Sequence, residues 1–114
     1  MKIKEVSSLL KARIVCGAHR QEESVNYGFG SDLMSDVLTL DSNDLLLITG
    51  LANVQTIRTA EMADIHFVLF VRNKKVTKEM IELAKENNLV ILESPYSLFK
   101  ASGILFSNGL KPVY

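Results

Sequence analysis

The sequence has a single cysteine, Cys16, no surplus of either charge, and no apolar run long enough to cross a bilayer. Each shortage removes a class of function. One thiol excludes an internal disulfide and cannot furnish the set of thiolates that a structural zinc or an iron–sulfur cluster takes. The 13 basic residues balance the 13 acidic ones, so no long-range field draws the chain to nucleic acid or to an anionic membrane. Met1-Lys2-Ile3-Lys4-Glu5 is not followed by a long apolar core, and nothing approaches the roughly 20 apolar residues of a spanning helix. These absences lead us to expect a soluble, unexported protein of the reducing cytoplasm. Repeats, low-complexity tracts and Pro/Gly/Ser linkers are also missing, and 114 residues with 47% apolar content suit a single domain, 1–114, around one core.

What is present is an alternation of helical and strand patterns. Ile3, Val6, Leu9 and Leu10 fall at helical spacing ahead of the short apolar strand Arg13-Ile14-Val15-Cys16-Gly17. A polar loop from Ala18 to Ser24 leads to alternating Val25, Tyr27 and Phe29, a short strand weakened by neighbouring glycines. Asp32 or Ser31 caps a short helix carrying Leu33, Met34, Val37 and Leu38. Leu45 to Thr49 does not alternate, which marks a strand covered on both faces. Asn53 caps a helix with Val54, Ile57, Ala60 and Met62, ahead of the strand His66 to Val71. Thr77 caps another with Met80, Ile81, Leu83 and Ala84 turned inward, closed by Asn87-Asn88 in a left-handed turn. Leu89 to Leu92 is the last clear strand. Ser94-Pro95 breaks it, and Ser97 to Phe106 forms a final helix before Asn108-Gly109 and a tail containing Pro112.

This order predicts a three-layer α/β/α fold: a mostly parallel sheet of about four or five strands joined by right-handed crossover helices. The strand ends Gly17, Thr49-Gly50, Arg72-Asn73 and Glu93-Ser94 are expected along one edge, where open α/β sheets receive ligands.

Thr49-Gly50-Leu51-Ala52-Asn53 can present N–H groups and a helix dipole to an anion or small polar ligand; it equally describes an ordinary capped turn. Thr49, Gly50, Asn53, Asn73 and Ser94 are the expected ligand-binding residues, with Gly17 beside them. That set is polar but uncharged, which suits hydrogen bonding better than proton transfer. Arg58, one turn into the helix, is expected to face water. Ser31, Asp32, Ser35 and Asp36 offer two carboxylates one helical turn apart, suited either to a cation or to a helix start. Their apolar companions Leu33, Met34 and Val37 read as a dimer contact. Cys16 and His19 have the chemistry of a nucleophile and base or of two metal ligands, but Cys16 reads more simply as core and His19 as the start of a loop. His66, after Asp64, reads as structural. Ser94-Pro95-Tyr96-Ser97 is a turn whose Ser97 caps the last helix. No catalytic residue, metal or cofactor is expected.

Ser31-Asp32-Leu33-Met34-Ser35, Asn53 followed by a helix, Ala63-Asp64-Ile65 and Leu92-Glu93-Ser94 resemble the DRTGG domain family, over about Ile3 to Leu110. The chain is similar to the stand-alone type often encoded near iron hydrogenase genes, and the resemblance implies a fold like the N-terminal domain of HPr kinase. The family's name comes from an Asp-Arg at one strand end and a Thr-Gly-Gly at the next. Here Thr49-Gly50 continues as Leu51-Ala52-Asn53, and another strand end reads Val71-Arg72-Asn73, so the roles of that signature do not carry over. No Gly-x-x-x-x-Gly-Lys-Ser/Thr loop is present, which removes kinase chemistry.

The reading that follows is a non-enzymatic regulatory or scaffold domain, a homodimer, sensing a small polar or anionic ligand at the strand-end edge. Phe99, Ile104, Leu105 and Phe106, in an almost uncharged last helix, add apolar surface for self-association. An alternative is a small phosphate- or nucleotide-handling enzyme using the Thr49 to Asn53 turn with His19 or Cys16 as reagent. A third, an adaptor in a hydrogenase or other redox assembly, is implied by the resemblance alone.

Overall fold

Residues 1–114 are all described by a computed structural model, in which helices and strands alternate along the chain except between the first two strands. They are α1 (Ile3–Leu10), β1 (Arg13–Cys16), β2 (Tyr27–Gly30), α2 (Met34–Val37), β3 (Leu45–Thr49), α3 (Val54–Met62), β4 (Phe67–Phe70), α4 (Lys78–Glu86), β5 (Val90–Glu93), α5 (Leu98–Ser107) and β6 (Lys111–Pro112). The strands form one sheet in the order β1-β5-β4-β3-β2-β6. All neighbours run parallel except β1, which is antiparallel to β5. The sheet is thus mostly parallel, as expected, with one strand more than the sequence indicates. The addition is the two-residue β6 in the Pro112 tail, an edge position that tolerates the missing N–H of proline.

Every residue of β3, β4 and β5 is buried, because helices cover both faces. Leu46, Ile48, Leu69, Val90 and Leu92 face α1 and α5 and pack with Ile3, Val6, Leu10, Ala101 and Leu105. Leu45, Leu47, Val68, Phe70 and Ile91 face the other way, against Val37, Ile57, Ala60, Met80 and Ala84 of α2, α3 and α4. Successive strand residues alternate between these two layers, so an unbroken apolar run is what a doubly covered strand requires.

Three of the expected caps form. Asn53 accepts from the N–H of Thr56 at 2.9 Å, Thr77 from Met80 at 3.2 Å and Ser97 from Lys100 at 3.1 Å. Asn88 takes the left-handed conformation beyond α4, with φ 55°. Neither Asp32 nor Ser31 caps α2: Ser31 Oγ accepts from the N–H of Leu33, the residue just ahead of the helix, at 2.9 Å, and the Asp32 carboxylate turns to other donors.

The direction of β1 corrects the expectation for Gly17. Its strand runs opposite to the others, so Gly17 lies against Leu89 and Val90, on the amino edge of the sheet and away from Thr49. Chain connectivity explains this. Segment 17–26 must travel from β1 to β2 past three intervening strands, about 19 Å at the usual strand spacing. An antiparallel β1 ends on the edge where β2 begins, so the segment runs straight along that edge, well within the ~33 Å reach of ten residues. It is held there by Arg20, whose guanidinium lies 5.0 Å from the centre of the Phe67 ring and donates to the Asn88 carbonyl. Pairing with the amino-terminal residues also holds it, through Val25 N–H to Met1 O at 2.8 Å and Ile3 N–H to Glu23 O at 2.9 Å.

Candidate functional site

Parallel register brings the carboxyl ends of β2, β3 and β4 level with one another, Gly30 opposite Ile48 and Thr49 opposite Phe70. Just past those ends three segments meet. Asp32, two residues beyond β2, accepts from the Thr49 hydroxyl at 2.9 Å and from the Gly50 N–H at 2.8 Å, both on one carboxylate oxygen. Its other oxygen lies 3.3 Å from the Arg72 guanidinium. Arg72, just beyond β4, also donates to the Gly50 carbonyl at 3.2 Å. The knot is closed at one end and open at the other: Thr49 is fully buried, whereas the Asp32 and Arg72 side chains are 39% and 48% exposed.

Local structure makes this meeting possible. Gly50 lets the guanidinium lie against its backbone, since a Cβ there would collide with Nε, Cζ and Nη2 of Arg72. Arg72 and Asn73 are both left-handed, φ 62° and 57°, a conformation costing an L-residue roughly 1–2 kcal/mol and least for asparagine. Two hydrogen bonds hold the turn: Arg72 N–H to Tyr96 O at 2.7 Å and Asn73 N–H to Ser94 O at 3.1 Å. The turn aims Arg72 back over Gly50 while Asn73, Lys74 and Lys75 stay exposed.

Burial pushes the Asp32 carboxyl up more than any other single influence. The Gly50 N–H, the Thr49 hydroxyl and the Arg72 charge together outweigh it and leave Asp32 below its ordinary value, as donors to the ionised form do. Asp32 is therefore a fixed anion at neutral pH, a poor proton shuttle and a good partner for a cation.

The structure sorts the expected site residues. Thr49 and Gly50 are at its centre. Asn73 is exposed at its rim, and Asn53 is exposed one turn away with its side-chain oxygen bound to Thr56 N–H and Oγ1. Ser94 is withdrawn: it is buried, and its hydroxyl donates to the Leu10 carbonyl at 2.8 Å, closing the end of α1. Arg58 faces solvent, as expected. The description of this edge as uncharged is corrected by Asp32 and Arg72, which sequence reasoning did not join. The available signal was an acidic residue after β2 and a basic one after β4, two strands flanking the Thr-Gly turn.

Among the proposed dimer contacts, Leu33 is exposed and Met34 half-buried, but Val37 is wholly inside the core against the α3 layer. It therefore cannot reach a partner from this position. Cys16 is buried, its thiol donating to the Leu89 carbonyl at 3.5 Å. Burial pushes the thiol up, against a smaller opposing effect of Lys85, so it is a weak nucleophile. β5 and β4 separate β1 from β3, so Cys16 lies about 14 Å or more from the Thr49 turn across the sheet, and His19, in the segment along the amino edge beside Arg20 and Phe67, is at the opposite end of the strands from that turn. An enzyme built from these reagents and that turn has no geometric basis. His66 pairs with Asp64 at 3.2 Å at the start of β4, also on the amino edge. No group of three or more His, Cys, Asp or Glu side chains is arranged to hold a metal ion, and no helix is long and apolar enough to cross a membrane.

These features define a three-layer α/β domain with a charge-paired, hydrogen-bonded cluster at the carboxyl edge of its sheet. The chain belongs to the DRTGG domain family, which residues 5–107 match. In fold it is similar to the CBS and DRTGG domains of the regulatory region of Clostridium perfringens pyrophosphatase, solved in complex with the activator diadenosine tetraphosphate. The TM-score is 0.75 at 18% identity, over 98% of this chain and 48% of that one. The present chain thus spans about half the length of that regulatory region. No curated protein matches it.

Proposed function

We propose that this chain is a non-enzymatic regulatory domain that works as a homodimer and senses a small anionic ligand at the partly exposed Asp32–Arg72 cluster. The observation that carries this reading is the convergence of the Thr49 hydroxyl, the Gly50 N–H and the Arg72 guanidinium on one negatively charged group. Two donors on one oxygen and a guanidinium beside the other form the elements of an anion site. Nothing beside it is suited to proton transfer or nucleophilic attack, so the site binds and does not transform.

The fold of the pyrophosphatase regulatory region, solved with a polyphosphate-containing activator, agrees with such a role. So does the local charge: Arg72, Lys74, Lys75 and Lys78 fall within one short stretch of a chain whose net charge is zero. The homodimer is supported by α5, where Phe99 and Phe106 are 90% and 66% exposed and, seven residues apart, lie on one face. They flank a groove of about 330 Å³ that also takes in Gly28, Gly30, Ile48 and Pro112. Water-exposed aromatic pairs beside an apolar groove favour association.

Thermal unfolding with inorganic pyrophosphate, nucleotides and acyl phosphates tests the ligand. A saturable rise in Tm, abolished by Arg72→Gln, is expected, because a ligand that binds only the folded state stabilises it. No rise with any of these compounds contradicts the reading.

A further inference from the structure

The anion site is already filled by the chain itself. Resting on the proposal that this cluster senses an anion, we infer that Asp32 is a built-in competitor: its carboxylate occupies the position of a ligand's diphosphate-type group, and binding expels it together with α2.

Two independent features support this. The first is the donor set. The Thr49 hydroxyl, the Gly50 N–H and Arg72 all engage the Asp32 side chain, and a carboxylate is a single charge. Expelling it leaves three donors facing solvent with Lys74 and Lys75 on the adjoining loop. A group carrying two or more negative charges and several acceptor oxygens satisfies that set better than one carboxylate does.

The second is the weakness of the segment that carries Asp32. Residues 31–44 join β2 to β3, which are adjacent and parallel. Such connections ordinarily hold a full crossover helix. Here the helix is the single turn Met34–Val37. Only Val37 of it is buried, while Leu33 and Leu38 on either side are exposed. Pairing with β3 ends where Ser31 N–H reaches Ile48 O at 3.0 Å, so Asp32 is the next tie between this segment and the sheet. Segments with few buried apolar contacts open at low cost. Moving Asp32 also moves Leu33 and Met34, which couples the cluster to the α2 surface.

A competitor that holds the site most of the time weakens apparent affinity by the reciprocal of the open fraction. Isothermal titration of inorganic pyrophosphate into the wild type and Asp32→Ala, which lacks the competing oxygens, therefore tests the inference, with AMP and ADP as arms that separate free diphosphate from a nucleotide-borne one. The variant is expected to bind pyrophosphate about tenfold or more tightly, as a site occupied about nine-tenths of the time requires. Equal or weaker binding by the variant overturns the competitor while leaving anion sensing intact. Binding of none of the three compounds by either protein overturns both. Should Asp32→Ala fail to fold, hydrogen exchange on the wild type decides: saturating pyrophosphate is expected to speed exchange of amides 33–40 relative to the rest of the chain. Unchanged protection there, with binding established by calorimetry, overturns the inference.

Discussion

The Asp32 carboxylate and the Arg72 guanidinium lie 3.3 Å apart across the carboxyl end of β3, although one follows β2 and the other β4. They meet because parallel register levels the strand ends and because Gly50 leaves room between them. The pair is a solvent-open ion pair, worth little on its own. Asp32 adds to it two hydrogen bonds, to the Thr49 hydroxyl and the Gly50 N–H that it covers.

That asymmetry predicts unequal mutants. Asp32→Ala leaves the buried Thr49 hydroxyl and the Gly50 N–H without their acceptor and is expected to cost about 1.5–3 kcal/mol of folding stability, the range for bonds to a charged group. Arg72→Gln removes the exposed charge alone and is expected to cost under about 1 kcal/mol. Urea denaturation of the two variants checks the order; a larger loss for Arg72→Gln contradicts it.

Asp32 also sets a pH dependence, through the Gly50 N–H and the Thr49 hydroxyl first and the Arg72 charge last. Asp32 titrates below its ordinary value in the fold, so its contribution is fully present above the unfolded carboxyl value of about 3.9 and is lost as pH falls through the lower folded value. Stability curves for the wild type and Asp32→Asn are expected to converge as pH falls below about 4. A gap that stays constant from neutral to acid pH contradicts this origin.

Gly50 is expected to couple to Arg72. Gly50→Ala forces the guanidinium off the backbone, and steric insertions at tight contacts cost about 1–3 kcal/mol. In an Arg72→Ala background most of that cost should vanish. A double-mutant cycle measures it; an unchanged cost in both backgrounds shows that the collision lies elsewhere.

Ser94 illustrates how a correct location can carry a wrong role. The sequence places it at a strand end, and it is there. Its hydroxyl turns inward to the Leu10 carbonyl, a partner supplied by α1 at the far end of the chain's order. Ser94→Ala is expected to lose about 1 kcal/mol and to leave pyrophosphate affinity unchanged. A loss of affinity without a loss of stability reverses that assignment.

What was legible in the sequence is what depends on near neighbours. Asn53, Thr77 and Ser97 are recognisable as caps because each acts on an N–H three residues away. The unbroken apolar runs of β3, β4 and β5 disclose burial on both faces. The direction of β1 was hidden, because Arg13–Cys16 reads the same whichever way it pairs; only the path of segment 17–26 decides it. The Asp32–Arg72 pair was hidden for a related reason, since it exists only once β2, β3 and β4 lie in register. Val37 looked like surface beside Leu33 because a one-turn helix is too short for its pattern to reveal an inward face.

Self-association is expected to rest on α5. Light scattering should give a dimer for the wild type and a monomer for the double variant Phe99→Glu, Phe106→Glu, with unchanged circular dichroism, since both rings are exposed in the single chain. A wild-type monomer at high concentration removes the dimer from the proposed function without touching the cluster.

The most direct test of the central claim is a nitrogen-15 NMR titration of the wild type with inorganic pyrophosphate. Saturable shifts of the Gly50 and Leu51 amides and of the Arg72 side-chain Nε, moving together with one affinity, are expected. Saturation with those three signals unmoved, or no saturable shift anywhere in the chain, contradicts it.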